Sequence, residues 1–215
     1  MTKYAGFLAV LILLASPAMA SDRMFEVAGW YVFLEPSAEA TFNAGTPVEP
    51  FDASLSADTG YGASAMFFFG RRISTELGIG YVKTGIDLEA RGRDANLPRR
   101  QVTVMPVTAT LQLHLRPDAM LDPYIGVGAI KTFFSGVTET EIDALSVDDI
   151  EATDIGYLVN VGFVVELMER MGLLFDVKWA PSPGVGRAIL NDAAGTAADI
   201  EVSPLMVSVG LSYRF

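Results

Sequence analysis

The sequence predicts an all-β protein, an eight-stranded antiparallel transmembrane β-barrel, and three observations support this prediction. Eight stretches alternate large apolar residues with small or polar ones, and the connections between them are alternately short and long. The chain is 51% hydrophobic and 19% charged. After residue 20, however, it has no uncharged apolar run of the ~18 residues that identify a transmembrane helix. We therefore expect strands to cross the membrane.

The clearest alternation lies in the last nine residues, which end the chain on Phe215. From Val207 onward, large apolar residues occupy the odd positions and small or polar residues occupy the even ones. A period of two is typical of a strand with two unlike faces. In a soluble sandwich the apolar face packs inward, whereas in a membrane barrel it faces lipid. This strand alone leaves both alternatives open.

Seven other segments repeat the pattern. Each reaches the ~9–11 residues that a tilted strand needs to cross a bilayer, and an even number of strands allows closure. Pro106 and Pro204 lie near the outer ends of two segments. Because proline cannot donate to the ladder, a β-bulge is expected there. The eight predicted strands are residues 24–35, 59–70, 73–84, 101–115, 123–134, 154–167, 172–180 and 201–215.

The connections alternate in length. The short ones are residues 70–72, 116–122 and 168–171, and the long ones are residues 36–58, 85–100, 135–153 and 181–200. Short periplasmic turns and long external loops are typical of outer-membrane barrels. A soluble β-sandwich has no reason to sort its loops in this way and is disfavoured.

The first twenty residues indicate export. Lys3 precedes an apolar run over residues 6–15, and Ala18 and Ala20 occupy the positions that a signal peptidase recognises. We expect a cleaved signal peptide of residues 1–20 and a mature barrel of residues 21–215 in a Gram-negative outer membrane. A retained anchor helix is disfavoured because the apolar run is too short to span.

Charge and cysteine content exclude several functions. Cleavage removes Lys3 and leaves 14 basic residues against 26 acidic ones, a net charge of −12. Nucleic acid is therefore not an expected partner. The chain has no cysteine, so disulfides and thiolate metal sites are excluded. No cofactor or metal site is predicted.

Alternation also predicts which residues face the lumen. In the sixth segment the odd residues are apolar, while Asn160 and Glu166 share the other face with Asp154. The fourth and seventh segments follow the same rule. In the fifth segment, placing Lys131 in the lumen would also place Val127 there, so its facing is not assigned.

Four stretches resemble the OmpW family of outer-membrane barrels. They are residues 72–77, residues 104–111 with their internal proline, residues 122–129 with the sequence Asp-Pro-Tyr-Ile-Gly-Val-Gly-Ala, and the closing residues 203–215. The long loops show little likeness. The resemblance implies an eight-stranded barrel whose narrow lumen passes small hydrophobic molecules.

Sorting the inward residues by height predicts a lumen that is apolar above and ionic near the periplasmic ends. Arg214 is expected to pair with Glu26 across the barrel seam. The predicted wall consists of Trp30, Val32, Leu34, Val82, Val104 and Leu158. The predicted charge network consists of Glu26, Glu76, His114, Glu166, Asp176, Lys178 and Arg214. These residues favour a narrow channel or binding chamber for small hydrophobic solutes, gated by the charges. Simple filling of a small barrel is the plainer alternative.

Two other functions remain open. The segment from Glu139 to Asp154 carries seven acids and no base, and such a loop can recruit divalent cations that bridge to lipopolysaccharide. A structural or surface-interaction barrel acting through its loops is therefore the main alternative. A lipid-modifying enzyme is disfavoured because His114, the only histidine, is predicted near the periplasmic end. Tyr213 and Phe215 form a terminal signature expected to be recognised by the barrel assembly machinery.

Overall fold

The computed structural model describes residues 24–42, 51–90, 100–135, 146–151, 154–181, 184–191 and 197–215. The predicted signal peptide lies outside these residues. The described residues contain no helix that is long and apolar enough to span a membrane. They form the strands β1 (Phe25–Phe42), β2 (Phe51–Leu55), β3 (Asp58–Phe68), β4 (Ile73–Ala90), β5 (Arg100–His114), β6 (Leu121–Ser135), β7 (Ser146–Glu151), β8 (Gly156–Met168), β9 (Met171–Trp179), β10 (Gly184–Asn191) and β11 (Ala197–Arg214).

Eight of these strands close into a barrel because the first pairs with the last. Around the barrel the order is β1, β3, β4, β5, β6, β8, β9 and β11, and each strand is antiparallel to its neighbours. β1 and β11 pair from Glu26 opposite Arg214 to Glu39 opposite Glu201. The predicted fold class, an eight-stranded antiparallel β-barrel, is confirmed. Closure leaves none of the eight with a free edge.

The strands are staggered around the barrel. The register that starts at Phe25 on β1, followed from partner to partner through all the strands, returns to β1 at Glu35, ten residues further along. A barrel closed with such a stagger has strands tilted by about 35–45° from its axis. Heights compared below allow for this shift.

Burial alternates along the strands as the sequence predicts. In β8 the even residues up to Val164 are buried and the odd ones between them are exposed. β6, whose facing the sequence left open, alternates in the same sense, with Tyr124 buried and Val127 exposed. Lys131 therefore faces lipid, where its Nζ lies 5.5 Å from the centre of the Phe133 ring. A lysine stem can cross an apolar surface if its ammonium reaches the interface.

Aromatic side chains form two belts on the lipid-facing surface. Near the outer end, Tyr61 and Tyr81 stack with their ring centres 5.3 Å apart. Near the periplasmic end, Phe215 lies 5.5 Å from Phe25 and 5.0 Å from Tyr213. Such belts mark the two membrane interfaces of an outer-membrane barrel.

Several strands extend further than the sequence predicts. β1 continues to Phe42 and β4 to Ala90, and β2 pairs with both of them. Next to β1, the closing strand β11 is also extended, where β10 pairs with β11 and β7 pairs with β10. The prediction that residues 36–58, 85–100, 135–153 and 181–200 are only loops is therefore wrong in part. Beyond the lipid a strand can pair without an apolar face, so alternation does not reveal it.

Neither proline produces the bulge that the sequence suggested. The register between β1 and β11 runs without a shift through Pro204. Between β4 and β5 the register is the same on both sides of Pro106, but the ladder lacks the pairs that would join Gly80 and Tyr81 to Pro106 and Met105. The missing proline donor thus interrupts the hydrogen-bonded ladder at this point.

Candidate functional site: the barrel lumen

The upper lumen is an apolar layer. None of its nine buried members exposes more than 5% of its surface, so the layer is tightly packed. Five of the six predicted wall residues belong to it, and the sixth, Trp30, is partly buried and packs against it. The members are Val32, Leu34, Val82, Val102, Val104, Ile130, Leu158, Ala180 and Met206.

Below this layer a lysine crosses the barrel. The Nζ of Lys178 on β9 lies 3.3 Å from Oε2 of Glu76 on β4 and 2.5 Å from Oδ2 of Asp176. Since three strands separate β4 from β9 in either direction, the bridge spans the full width of the lumen. All three side chains are buried. Buried charges are tolerated only when they are paired, and this pairing joins opposite sides of the barrel.

Neutral groups complete the coordination of both carboxylates. The Tyr124 hydroxyl and the Asn160 amide donate to Oδ1 of Asp176, at 2.8 and 3.1 Å. The Gln112 amide donates to Oε2 of Glu76 at 2.6 Å, and the Thr110 hydroxyl donates to the same oxygen at 3.3 Å. Each donor comes from a different strand except the β5 pair, so the network ties β4, β5, β6, β8 and β9 together.

His114 lies at the periplasmic end of this network. Its Nδ1 is 2.9 Å from Oδ2 of Asp122, and its Nε2 is 3.0 Å from Oγ of Ser74. The order of groups resembles a serine hydrolase triad. However, the Ser74 hydroxyl also donates to Oε1 of Gln112 at 3.3 Å, and Ser74 and His114 expose 0% and 1% of their surfaces. A buried hydroxyl with another acceptor is poorly placed to attack a substrate, so the chain of contacts is better suited to joining β4, β5 and β6.

The predicted seam pair also forms. Arg214 on β11 lies opposite Glu26 on β1, with its Nε 3.5 Å from Oε2 of Glu26. The Nε makes no hydrogen bond within the described part of the chain, so the attraction is mainly electrostatic. Glu166 is partly exposed near the rim, and the structure places it apart from the bridge formed by Lys178.

Charge removal at the seam should destabilise the barrel. We expect Arg214→Gln to lower the free energy of unfolding by about 1–3 kcal/mol, because it leaves the buried Glu26 carboxylate without a cation. Guanidinium titration of the barrel in lipid vesicles measures this loss. The double variant Arg214→Gln/Glu26→Gln should recover most of it, and a double variant as unstable as the single one would contradict the pairing.

Trp30 lies at the boundary between the apolar layer and the charged network below it, next to three glycines. A Cβ at Gly62 would overlap its indole, a Cβ at Gly80 would lie 3.3 Å from its Cη2, and a Cβ at Gly210 would lie 2.6 Å from its Cβ. The Cβ position at Gly80 is also 3.0 Å from Cγ of Pro106. The indole therefore lies against the barrel wall beside the gap in the β4–β5 ladder.

The structure revises one predicted height. Lys178 pairs with Asn160 and Met206, so the ionic layer rises to mid-barrel, and the prediction that Asp176 and Lys178 lie near the periplasmic end is wrong. The lower lumen also contains a second apolar cluster, absent from the prediction, with Tyr124 and Leu174 among its members.

Sequence reasoning also missed site residues on β6. Asp122 and Tyr124 face the lumen, but the sequence leaves this strand unassigned because a lumenal Lys131 would also place Val127 inside. The signal that locates them is the position of Lys131 near the outer end of its strand, where a lysine can reach the interface from the lipid face.

Most of the predicted acidic loop lies outside the described residues, including Glu139, Glu141 and Asp143. Within the described part, Asp148, Asp149 and Glu151 belong to β7, and Asp154 is exposed. The role of this loop remains a prediction. The same holds for recognition of Tyr213 and Phe215 by the assembly machinery.

Fold and lumen together define the class of protein. A closed eight-stranded barrel with two aromatic belts, an apolar outer surface and buried charged side chains in its lumen is an outer-membrane β-barrel. The chain belongs to the OmpW family, whose model matches residues 30–215. The resemblance noted in the sequence is thereby confirmed.

Individual relatives agree with this assignment. The chain is 29% identical to the uncharacterized outer-membrane protein y4mB of Sinorhizobium fredii over 154 residues, which is 69% of this chain and 62% of y4mB. It is 26% identical to outer membrane protein AlkL of Ectopseudomonas oleovorans over 171 residues, covering 76% of this chain and 69% of AlkL. The match thus spans less than two thirds of y4mB. The crystal structure of OprG from Pseudomonas aeruginosa has a similar fold, with a TM-score of 0.76, 18% identity, and coverage of 90% and 96% of the two chains. This protein is therefore an outer-membrane protein.

Proposed function

We propose that the barrel admits small hydrophobic molecules from outside into the apolar layer of its upper lumen and releases them sideways into the membrane. The observation that carries this proposal is the Lys178 bridge to Glu76, which crosses the lumen directly below an apolar layer. An apolar solute that reaches this bridge gains nothing by displacing a buried ion pair. A route through the wall keeps the solute in apolar surroundings.

The gap beside Pro106 supports a particular exit. The ladder between β4 and β5 is interrupted there, and Trp30 stands on its lumenal side. Fewer hydrogen bonds have to break at an interrupted ladder than at a complete one. Because the side chains of the apolar layer are closely packed, a passing solute has to displace Trp30 or its neighbours.

A reversible clamp across the gap tests the exit. The chain has no cysteine, so Tyr81→Cys/Met105→Cys introduces a single pair at positions that the flanking register places opposite each other. Neighbouring strands fit the Cα separation of a disulfide. We expect oxidation to remove most of the barrel-dependent uptake of N-phenyl-1-naphthylamine by cells, and reduction to restore it.

The matched control places the same clamp where the ladder is intact. Leu77 lies opposite Ala109 on the same two strands, and Leu77→Cys/Ala109→Cys should leave uptake unchanged on oxidation. Equal uptake by the oxidised and reduced forms of the first variant would rule out this exit. Catalysis is no part of the proposal, because the Ser74 hydroxyl is buried and bonded to Gln112.

A further inference from the structure

Two lysines face lipid at the outer end of the barrel. Lys83 on β4 is exposed, and Lys131 on β6 is partly exposed. Only β5 lies between their strands, a separation of roughly 10 Å in the hydrogen-bonding direction. Lys83 pairs with Thr103 and Lys131 with Val107, so the two lysines are also offset along the strands by four residues, roughly 13 Å. When the stagger of the strands is allowed for, the two lysines lie at nearly the same height.

That height is the outer membrane interface. Tyr81, a member of the outer aromatic belt, precedes Lys83 by two residues on the same face of β4. Lys131 directs its ammonium toward Phe133, which is two residues nearer the outer end of β6. Both cations therefore sit where the apolar surface ends and lipid headgroups begin.

Among the described residues no ion pair is seen for either ammonium, and that of Lys131 lies over the Phe133 ring. A cation on a lipid-facing surface is costly unless it reaches water or an anion. The chain as a whole is acidic, with a net charge of −11, so two bases that make no ion pair with the described residues are unusual on one face. Their position favours an anion that belongs to the outer leaflet.

We propose that Lys83 and Lys131 bind the phosphorylated headgroup of lipopolysaccharide. Lysine binds phosphate as a point charge, and two lysines on alternate strands suit a headgroup that carries two phosphates on one disaccharide. Directly below them, Ile79, Val107 and Val127 are exposed on the same three strands and offer an apolar surface to the acyl chains. This contact is independent of solute uptake and of the acidic loop.

Native mass spectrometry of the full barrel in detergent, titrated with bis-phosphorylated lipid A, tests this site. We expect Lys83→Gln/Lys131→Gln to weaken lipid A binding by at least about tenfold, because each lysine attracts the anionic headgroup and the double variant removes both charges. Lys83→Arg/Lys131→Arg should keep the affinity. Heat-modified migration on a gel confirms that each variant is folded.

Charge position and lipid identity provide the controls. Arg71 lies in the periplasmic turn, paired with Asp118 at 2.5 Å, and Arg71→Gln should leave lipid A binding unchanged. Lipid A without phosphates should bind the native barrel no better than the double glutamine variant binds bis-phosphorylated lipid A. Unchanged affinity in the double glutamine variant would overturn the proposal. So would an equal loss of affinity for phosphatidylglycerol, because it would show a general preference for anions.

Discussion

Replacing Lys178 with methionine should open the barrel to ions and lower its free energy of unfolding by about 3–5 kcal/mol. The substitution leaves Glu76 and Asp176 facing each other in the lumen without a cation, although both are buried. Two unpaired carboxylates draw in water or counterions. Because the bridge from Lys178 to Glu76 spans the lumen, loss of the ammonium also breaks the contact at its centre. Planar bilayer recordings should show cation-selective openings that the native barrel lacks.

Charge neutralisation separates these two effects. In Lys178→Met/Glu76→Gln/Asp176→Asn no charge remains at the bridge, so we expect stability to return to near the native value and conductance to fall. Guanidinium titration and bilayer recording of the same preparations provide both measurements. If Lys178→Met were as stable as the native barrel and conducted no more ions, the bridge would not close the lumen. That result would also remove the main support for sideways release.

We expect Gly62→Val to lower the free energy of unfolding by about 1–3 kcal/mol through overpacking. The Cβ of any side chain there would overlap the Trp30 indole and lie 2.5 Å from the Ile79 carbonyl oxygen. The indole has little room to retreat, because its Cη2 also lies close to Gly80, where a Cβ would be 3.3 Å away. We expect Gly62→Val to shift Trp30 toward the apolar layer, which a change in tryptophan fluorescence would report together with the loss of stability.

A glycine on the other face of β1 provides the control. Nothing lies within 4 Å of a Cβ at Gly29, so Gly29→Val should leave both stability and fluorescence nearly unchanged. Adding Trp30→Ala to Gly62→Val should recover part of the lost stability, because it removes the clash with the indole. The recovery should be incomplete, because the clash with the Ile79 carbonyl oxygen remains. Equal destabilisation by Gly29→Val and Gly62→Val would show that glycine is needed for backbone reasons and that Trp30 is not specifically accommodated.

Alternation located the residues of the lumen but could not show how they meet. It placed Glu76 and Lys178 on the inward face, because a period of two permits only two faces. Their contact depends on which strands lie opposite each other and on how far a lysine reaches across the lumen. Both follow from the number of strands and their stagger, which no single segment contains.

β6 shows where prediction of facing from residue type fails. A residue's type suggests its face only where the environment is uniform, and Lys131 lies at the boundary between lipid and water. Taken by type, this lysine obscured the facing of the strand and with it the roles of Asp122 and Tyr124.

The amino-acid sequence by itself determined the barrel, its eight membrane-spanning strands and the family to which it belongs, because lipid on one side and a narrow lumen on the other impose an alternation on every strand. Only the tertiary structure decided that a lysine bridges the lumen, that Trp30 lies beside an interruption in the β4–β5 ladder, and that two lysines share one height on the outer surface. Each of these depends on distances between strands far apart in the chain, and those distances are fixed only when the stagger of the closed barrel brings the strands into register.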